Sequence, residues 1–260
     1  MTTRKEKQKG TKGIFLDNDP DFRKDVAEGC KGFTVLEIGQ TPRGQHFGLD
    51  IFSDEYDDFL KGLSAKGKGA ASILKVFLER EGLREESYDP QSGIQEEHVA
   101  ELKQWVTERK QQKLLCVLDF DRTLTVMEGG HFVGTSLEDW KDTMKLTVGK
   151  ERINFDTFTA VGFAEYLAGG SKRLHMLQDM FDFLYRHSVK CFLLTNNTAC
   201  MESRGLLKEL VQVYTKGRPI KVVCGLEYGG QKSLAIRSNT KVRKFLCAAQ
   251  RKTRKVKTSS

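Results

Sequence analysis

The stretch Asp119-Phe120-Asp121-Arg122-Thr123-Leu124-Thr125 holds two carboxylates two residues apart, directly behind the apolar run 114–118. At the end of a buried strand such a pair faces one general direction. One carboxylate can attack phosphorus or hold a hard cation. The other can protonate a leaving group and then activate water. The same residues also suit a turn capped by Asp and Thr. A second apolar run ends in Leu193-Leu194-Thr195-Asn196-Asn197. There Thr195 can donate a hydrogen bond to a phosphoryl oxygen, or the hydroxyl and amides can serve as an ordinary helix cap. The third stretch is Gly229-Gly230-Gln231-Lys232, ahead of a helix carrying Leu234 and Ile236. Beside carboxylates Lys232 can offset charge at a phosphate. Alone it is a surface lysine.

Such groups need strands to aim them. The run 114–118 is continuously apolar and suits a strand buried on both faces. The runs 189–194 and 220–226 read the same way. Between them, Leu174, Leu177, Phe181 and Leu184 share one helical stripe in 174–186, and 202–214 forms a second helix. Strand, helix, strand, helix, strand predicts an α/β fold with parallel strands and right-handed crossovers. Ligands of such sheets sit at the carboxyl ends of the strands. Further helices are predicted over 51–63, 70–80 and 94–109.

The three stretches together resemble the haloacid dehalogenase-like (HAD) superfamily, whose members are mostly aspartate-nucleophile, magnesium-dependent phosphohydrolases. The separations of 76 residues from Asp119 to Thr195 and 37 from Thr195 to Lys232 suit it. The resemblance covers 114–246, about half the chain. It implies a three-layer Rossmann-like fold, Mg²⁺ as cofactor and hydrolysis of a phosphomonoester through an aspartyl-phosphate. Asp119 then looks like nucleophile and metal ligand. Asp121 looks like the general acid/base, with its main-chain carbonyl on the metal. Thr195, Asn196 and Lys232 look like the phosphate-binding group.

The superfamily also needs a fourth strand ending in acids that complete the metal site, placed after the lysine helix. Here that helix runs into 241–260, which holds eight Lys and Arg and no acid. The missing form stands at the other end of the chain. Ile14-Phe15-Leu16-Asp17-Asn18-Asp19-Pro20-Asp21 is an apolar run, an acidic cluster and a helix start with Pro in its first turn. A helix ending at Gly29 and a strand over 33–38 follow. The expectation is a circular permutation, with sheet order resembling 5-4-1-2-3 and the last two strands supplied by the N-terminus. Asp17 is the first choice for the added metal ligand and Asp21 the second. The alternative is a helix-capping turn at Asp17 to Asp21 and a catalytically inactive binding or regulatory protein.

The expected organisation is a basic flexible tail over 1–13, permuted strands over 14–38 and a helical insertion or linker over 39–97. The main core covers 98–250, with a small cap or flap at about 126–171 that includes Trp140, Phe155, Phe158, Phe163 and Tyr166. A basic tail closes the chain at 251–260. His131 and Arg173 are surface residues or substrate contacts.

The 260 residues carry a net charge of +8, with 43 basic and 35 acidic side chains. The two ends account for all of it, and 14–240 is mildly acidic. The net charge is therefore no evidence for a fold built to bind nucleic acid, while the termini remain able to touch a polyanion or to direct nuclear targeting. No run of eighteen apolar residues exists, so no membrane span is expected. No apolar leader follows the first residues, and none of Cys30, Cys116, Cys191, Cys200, Cys224 and Cys247 forms a CxxC pair. Buried free thiols in an intracellular compartment, cytoplasmic or nuclear, are expected.

Overall fold

Five apolar runs become five parallel strands of one sheet. They are β1 (Thr11–Asp17), β2 (Phe33–Glu37), β3 (Lys113–Leu118), β4 (Lys190–Thr195) and β5 (Lys221–Cys224). Their order across the sheet is β2-β1-β3-β4-β5, so the N-terminal strand is paired on both sides. These come from a computed structural model that describes residues 11–39, 92–126, 138, 159–197, 199–202, 204–240 and 242.

Alternation along each strand decides which helix covers which face. Ile14, Leu16, Leu114, Cys116, Leu118, Cys191 and Leu193 point to one side. There they meet α2 (Glu96–Glu108), α3 (Ala160–Leu167), α4 (Ser171–Arg186) and α6 (Arg204–Tyr214). Phe15, Leu115, Val117, Phe192 and Leu194 point to the other side. They meet α1 (Pro20–Gly29) and α7 (Lys232–Ser238). A short α5 (Ala199–Glu202) links β4 to α6. The molecule is thus α/β, an all-parallel sheet between two helical layers.

β1 reaches three residues further towards the N-terminus than its apolar run. Thr11, Lys12 and Gly13 join the ladder opposite Lys113, Leu114 and Leu115, because a strand between two partners recruits polar neighbours through backbone bonds alone. The helices predicted over 51–63 and 70–80 lie outside the described residues. So do Trp140, Phe155, Phe158 and His131 of the expected flap region and both chain ends. Phe163 of α3 is fully buried in the main core with Leu167 and Leu177.

The thiol reading needs correction at two positions. Cys30, Cys116 and Cys191 are free and buried, but Cys200 and Cys224 form a disulfide. The β4–β5 register sets Cys224 beside Thr195, and α5 brings Cys200 back over that strand end. No spacing motif signals this pairing, since the two are 24 residues apart. No helix among the described residues is long and apolar enough to cross a membrane.

Candidate active site

Strand pairing sets the first two carboxylates side by side. Leu16 pairs with Leu118, so Asp17 and Asp119 follow at the carboxyl ends of neighbouring strands. The Asp119 amide donates to the Leu16 carbonyl at 3.0 Å, which carries the junction one residue past the ladder. Lys232 arrives from the first turn of α7. Its Nζ lies 2.7 Å from Asp17 Oδ2 and 2.7 Å from Asp119 Oδ1. All three are withdrawn from solvent: Asp17 is 0 % exposed, Lys232 1 % and Asp119 5 %. The sequence distance bridged by the Lys232–Asp17 bond is 215 residues.

Burial dominates the electrostatics. It pushes Asp17 up to about 7, opposed by the charge of Lys232 and reinforced by that of Asp119. It raises Asp119 to about 6, with Lys232 opposing and Asp121 adding to the rise. For Lys232 burial works against the ammonium, but Asp119 and Asp17 outweigh it and hold its pKa above the ordinary lysine value. Two buried carboxylates thus share one buried cation, a net negative centre that favours further positive charge.

The loop after Asp119 is held by its own backbone and by a buried arginine. The Phe120 carbonyl accepts from the amides of Leu124 and Thr125 at 2.9 and 3.1 Å. Arg122 takes a left-handed φ of 48°, and its amide donates to Thr125 Oγ1. Arg173, 8 % exposed, is not a surface residue. Its guanidinium donates to the carbonyls of Ile94, Thr123, Leu124 and Ala168. Gly93, at φ 78°, packs so closely on Arg173 that a Cβ there would collide with the guanidinium.

Asp121 is oriented from β4. Asn197 Nδ2 donates to its carboxylate at 3.1 Å, and the Asn197 amide donates to Thr195 Oγ1 at 3.0 Å. Thr195 is fully buried, and its hydroxyl proton meets no acceptor among the described residues. Asn196 turns the other way and donates to the Gly230 carbonyl. It therefore ties the β4 end to the turn ahead of Lys232. Of the two amides, Asn197 is the one to which sequence reasoning gave no part beyond a helix cap.

The N-terminal acids separate clearly. Asp17 Oδ1 accepts from the Asp19 amide, and Asp19 caps α1 by accepting from the amides of Asp21 and Phe22. Asp21 is exposed on the first turn of α1, and no bond among the described residues joins it to Asp17, Asp119, Asp121 or Lys232. Arg23 fastens the same corner by donating to the carbonyls of Asp17 and Asn18 and to Glu37. Asp25, also unforeseen, holds α7 in place. It accepts from the Ser233 amide at 2.8 Å and from the Ser233 hydroxyl at 2.7 Å, one residue beyond Lys232. Gly29 of α1 packs against the same Ser233, so closely that a Cβ would come within 2.7 Å of Ser233 Cβ.

Mg²⁺ takes hard oxygen ligands in near-octahedral geometry and keeps several waters. The chemistry of the donor set fits. Asp17 and Asp119 offer carboxylates at adjoining strand ends and Asp121 another two residues beyond, oxygen donors of the kind a hard cation takes. No group of three or more His, Cys, Asp or Glu among the described residues is gathered tightly enough to hold a metal unaided. Main-chain carbonyl, substrate and water oxygens would have to complete the shell.

No protein-family model matches the chain, and neither a curated protein nor a solved structure matches it.

Proposed function

We propose that the chain is a circularly permuted HAD-like phosphatase that hydrolyses a phosphomonoester with Mg²⁺. The observation that carries this reading is Lys232 bonded to both Asp17 and Asp119. An ammonium buried between two carboxylates from opposite ends of the chain has no packing purpose that an apolar residue would not serve as well. The sheet order β2-β1-β3-β4-β5 supports the permutation, because it sets the N-terminal acid strand next to the strand that ends in Asp119.

In this reading Asp119 attacks the phosphorus in line with the leaving oxygen. The phosphorus–oxygen bond of the ester breaks as an aspartyl-phosphate forms, and Asp121 gives its proton to the departing oxygen. Water then attacks the aspartyl-phosphate, Asp121 takes its proton, and inorganic phosphate leaves Asp119. Asn197 keeps Asp121 aimed through both turns of this cycle. Thr195 donates its hydroxyl proton to a phosphoryl oxygen. Lys232 fixes the two carboxylates and lowers the repulsion between nucleophile and phosphate. Asn196 anchors the Gly230 turn that delivers Lys232. When bound, Mg²⁺ supplies positive charge beside the phosphoryl oxygens, held by Asp17, Asp119 and the Asp121 carbonyl. Asp21 serves only the exposed start of α1.

Phosphate release from a chromogenic aryl phosphate, with Mg²⁺ and with chelator, tests the reading. Turnover is expected only with Mg²⁺, and Asp17→Asn is expected to lower it at least ~100-fold. Full activity in Asp17→Asn rejects the permuted metal site. A folded wild-type chain with no turnover on any phosphomonoester favours a binding protein built on the same frame.

A further inference from the structure

The amino edge of the sheet, opposite the carboxylates, carries its own charge pattern. Lys31, Lys12, Lys113, Lys190 and Lys221 stand at or just before the starts of β2, β1, β3, β4 and β5, and all five are exposed. Strands spaced ~4.8 Å apart make this a staggered row roughly 19 Å across. At the starts of β3 and β4 lies a cavity of about 530 Å³ with an apolar floor of Val106 and Leu114, ringed by Lys110, Lys113, Arg186 and His187 with Gln112 and Ser188, and by no acid. Among the described residues Lys12, Lys31, Lys110, Lys113 and Lys190 make no ion pair. Lys216 and Arg218, by contrast, share Asp182. Cations are commonplace where helices end, since they offset the terminal carbonyls. That accounts for Lys110 and Arg186 near the ends of α2 and α4, but not for a lysine at the start of every strand.

We propose that this edge binds a single-stranded nucleic acid through its phosphates. The cavity is large enough for a sugar–phosphate unit, with Lys110, Lys113 and Arg186 around the phosphate and Gln112 and Ser188 as neutral hydrogen-bonding groups. Lys190 and Lys221, in register with Leu115 and Phe192, share the face of Lys113 and carry the strand onward from the cavity. His187 is the one ring in the lining, and the cations outnumber it, so recognition is chiefly of backbone charge and tolerant of sequence. The surface belongs to the folded body, not to the basic chain ends. It lies at the opposite edge from Asp119, so the bound strand is an anchor and not the hydrolysed ester.

Fluorescence anisotropy of a labelled twenty-nucleotide oligothymidylate against the full chain tests this. The variant Lys110→Glu/Lys113→Glu/Arg186→Glu should bind at least tenfold more weakly at low salt. The slope of log affinity against log salt should shrink by about 2, the share of three phosphates on a single strand. A control, Lys24→Glu/Lys172→Glu/Lys208→Glu, changes the net charge equally at exposed lysines of α1, α4 and α6. It should stay within threefold of wild type. The milder pair Lys113→Gln/Lys190→Gln guards against misfolding and should weaken binding about fivefold. Equal losses in the two triple variants, no loss in either, or binding of phosphatidylserine vesicles in place of the oligonucleotide would overturn the proposal. Turnover on a small aryl phosphate should be the same in all of them, which separates this result from the fate of the phosphatase reading.

Discussion

The two edges of one sheet handle charge in opposite ways. At the carboxyl edge, Asp17, Asp119 and Lys232 are almost without solvent and satisfy one another at 2.7 Å. At the amino edge, five lysines stand in water, and Lys12, Lys31, Lys113 and Lys190 have no acidic partner among the described residues. Desolvated charges of this kind cost several kcal/mol each before pairing, whereas solvated lysines cost almost nothing. The carboxyl edge is therefore where stability is exchanged for a prearranged group of ionisable atoms. The amino edge leaves its charges in solvent.

The largest difference should appear when each edge loses a cation. Lys232→Met strands two buried carboxylates and is expected to lower folding stability by about 3–5 kcal/mol. Lys190→Met at the amino edge is expected to stay within about 0.5 kcal/mol, as exposed substitutions do. Urea unfolding of the two variants measures both, and similar losses would erase the distinction.

A smaller effect is expected one step back from the site. Asp25→Ala removes two hydrogen bonds to Ser233 and loosens the first turn of α7. A loss of about 1.5–3 kcal/mol is expected, with turnover falling because Lys232 is less well held. Asp25→Asn should recover part of it, since an amide still accepts one bond. Recovery of stability without recovery of turnover would mean that Asp25 does more than position the helix.

The subtlest test is in pH. The folded carboxyls of Asp17 and Asp119 are raised to about 7 and about 6, so between ordinary carboxylate pKa and neutrality the folded state holds protons that the unfolded state has released. Their contribution to stability is fully present in acid and is lost as pH rises through those values. In metal-free buffer, the melting temperature of wild type minus that of Asp17→Asn should fall from pH 4.5 to 7.5. A difference that rises with pH would show that Asp17 is ionised well into acid and that Lys232 outweighs burial.

Much of this frame is legible in the sequence, for physical reasons. Apolar runs ending in acids or a hydroxyl mark strands that stop at a polar edge, and they point to Asp119, Thr195 and Asp17. That the run ending in Asp17 pairs beside the strand ending in Asp119 is seen only in the sheet, where Leu16 meets Leu118. Contacts between distant polar residues are not legible. Asp25 and Ser233 read as ordinary helix-surface residues until α1 and α7 are packed together. Arg173 reads as a surface charge until four carbonyls are seen around it, and the glycine that admits it, Gly93, lies 80 residues away. The choice between Asn196 and Asn197 depends on which way the chain turns after β4, and neighbouring identical residues give no sign of that.

The most direct test of the central claim is phosphate release by purified Asp119→Asn beside wild type, in Mg²⁺ and in chelator. The account predicts Mg²⁺-dependent turnover in wild type and a loss of at least ~10⁴-fold in the variant, the scale of removing a covalent nucleophile. Mg²⁺-dependent turnover that survives Asp119→Asn unchanged would contradict it.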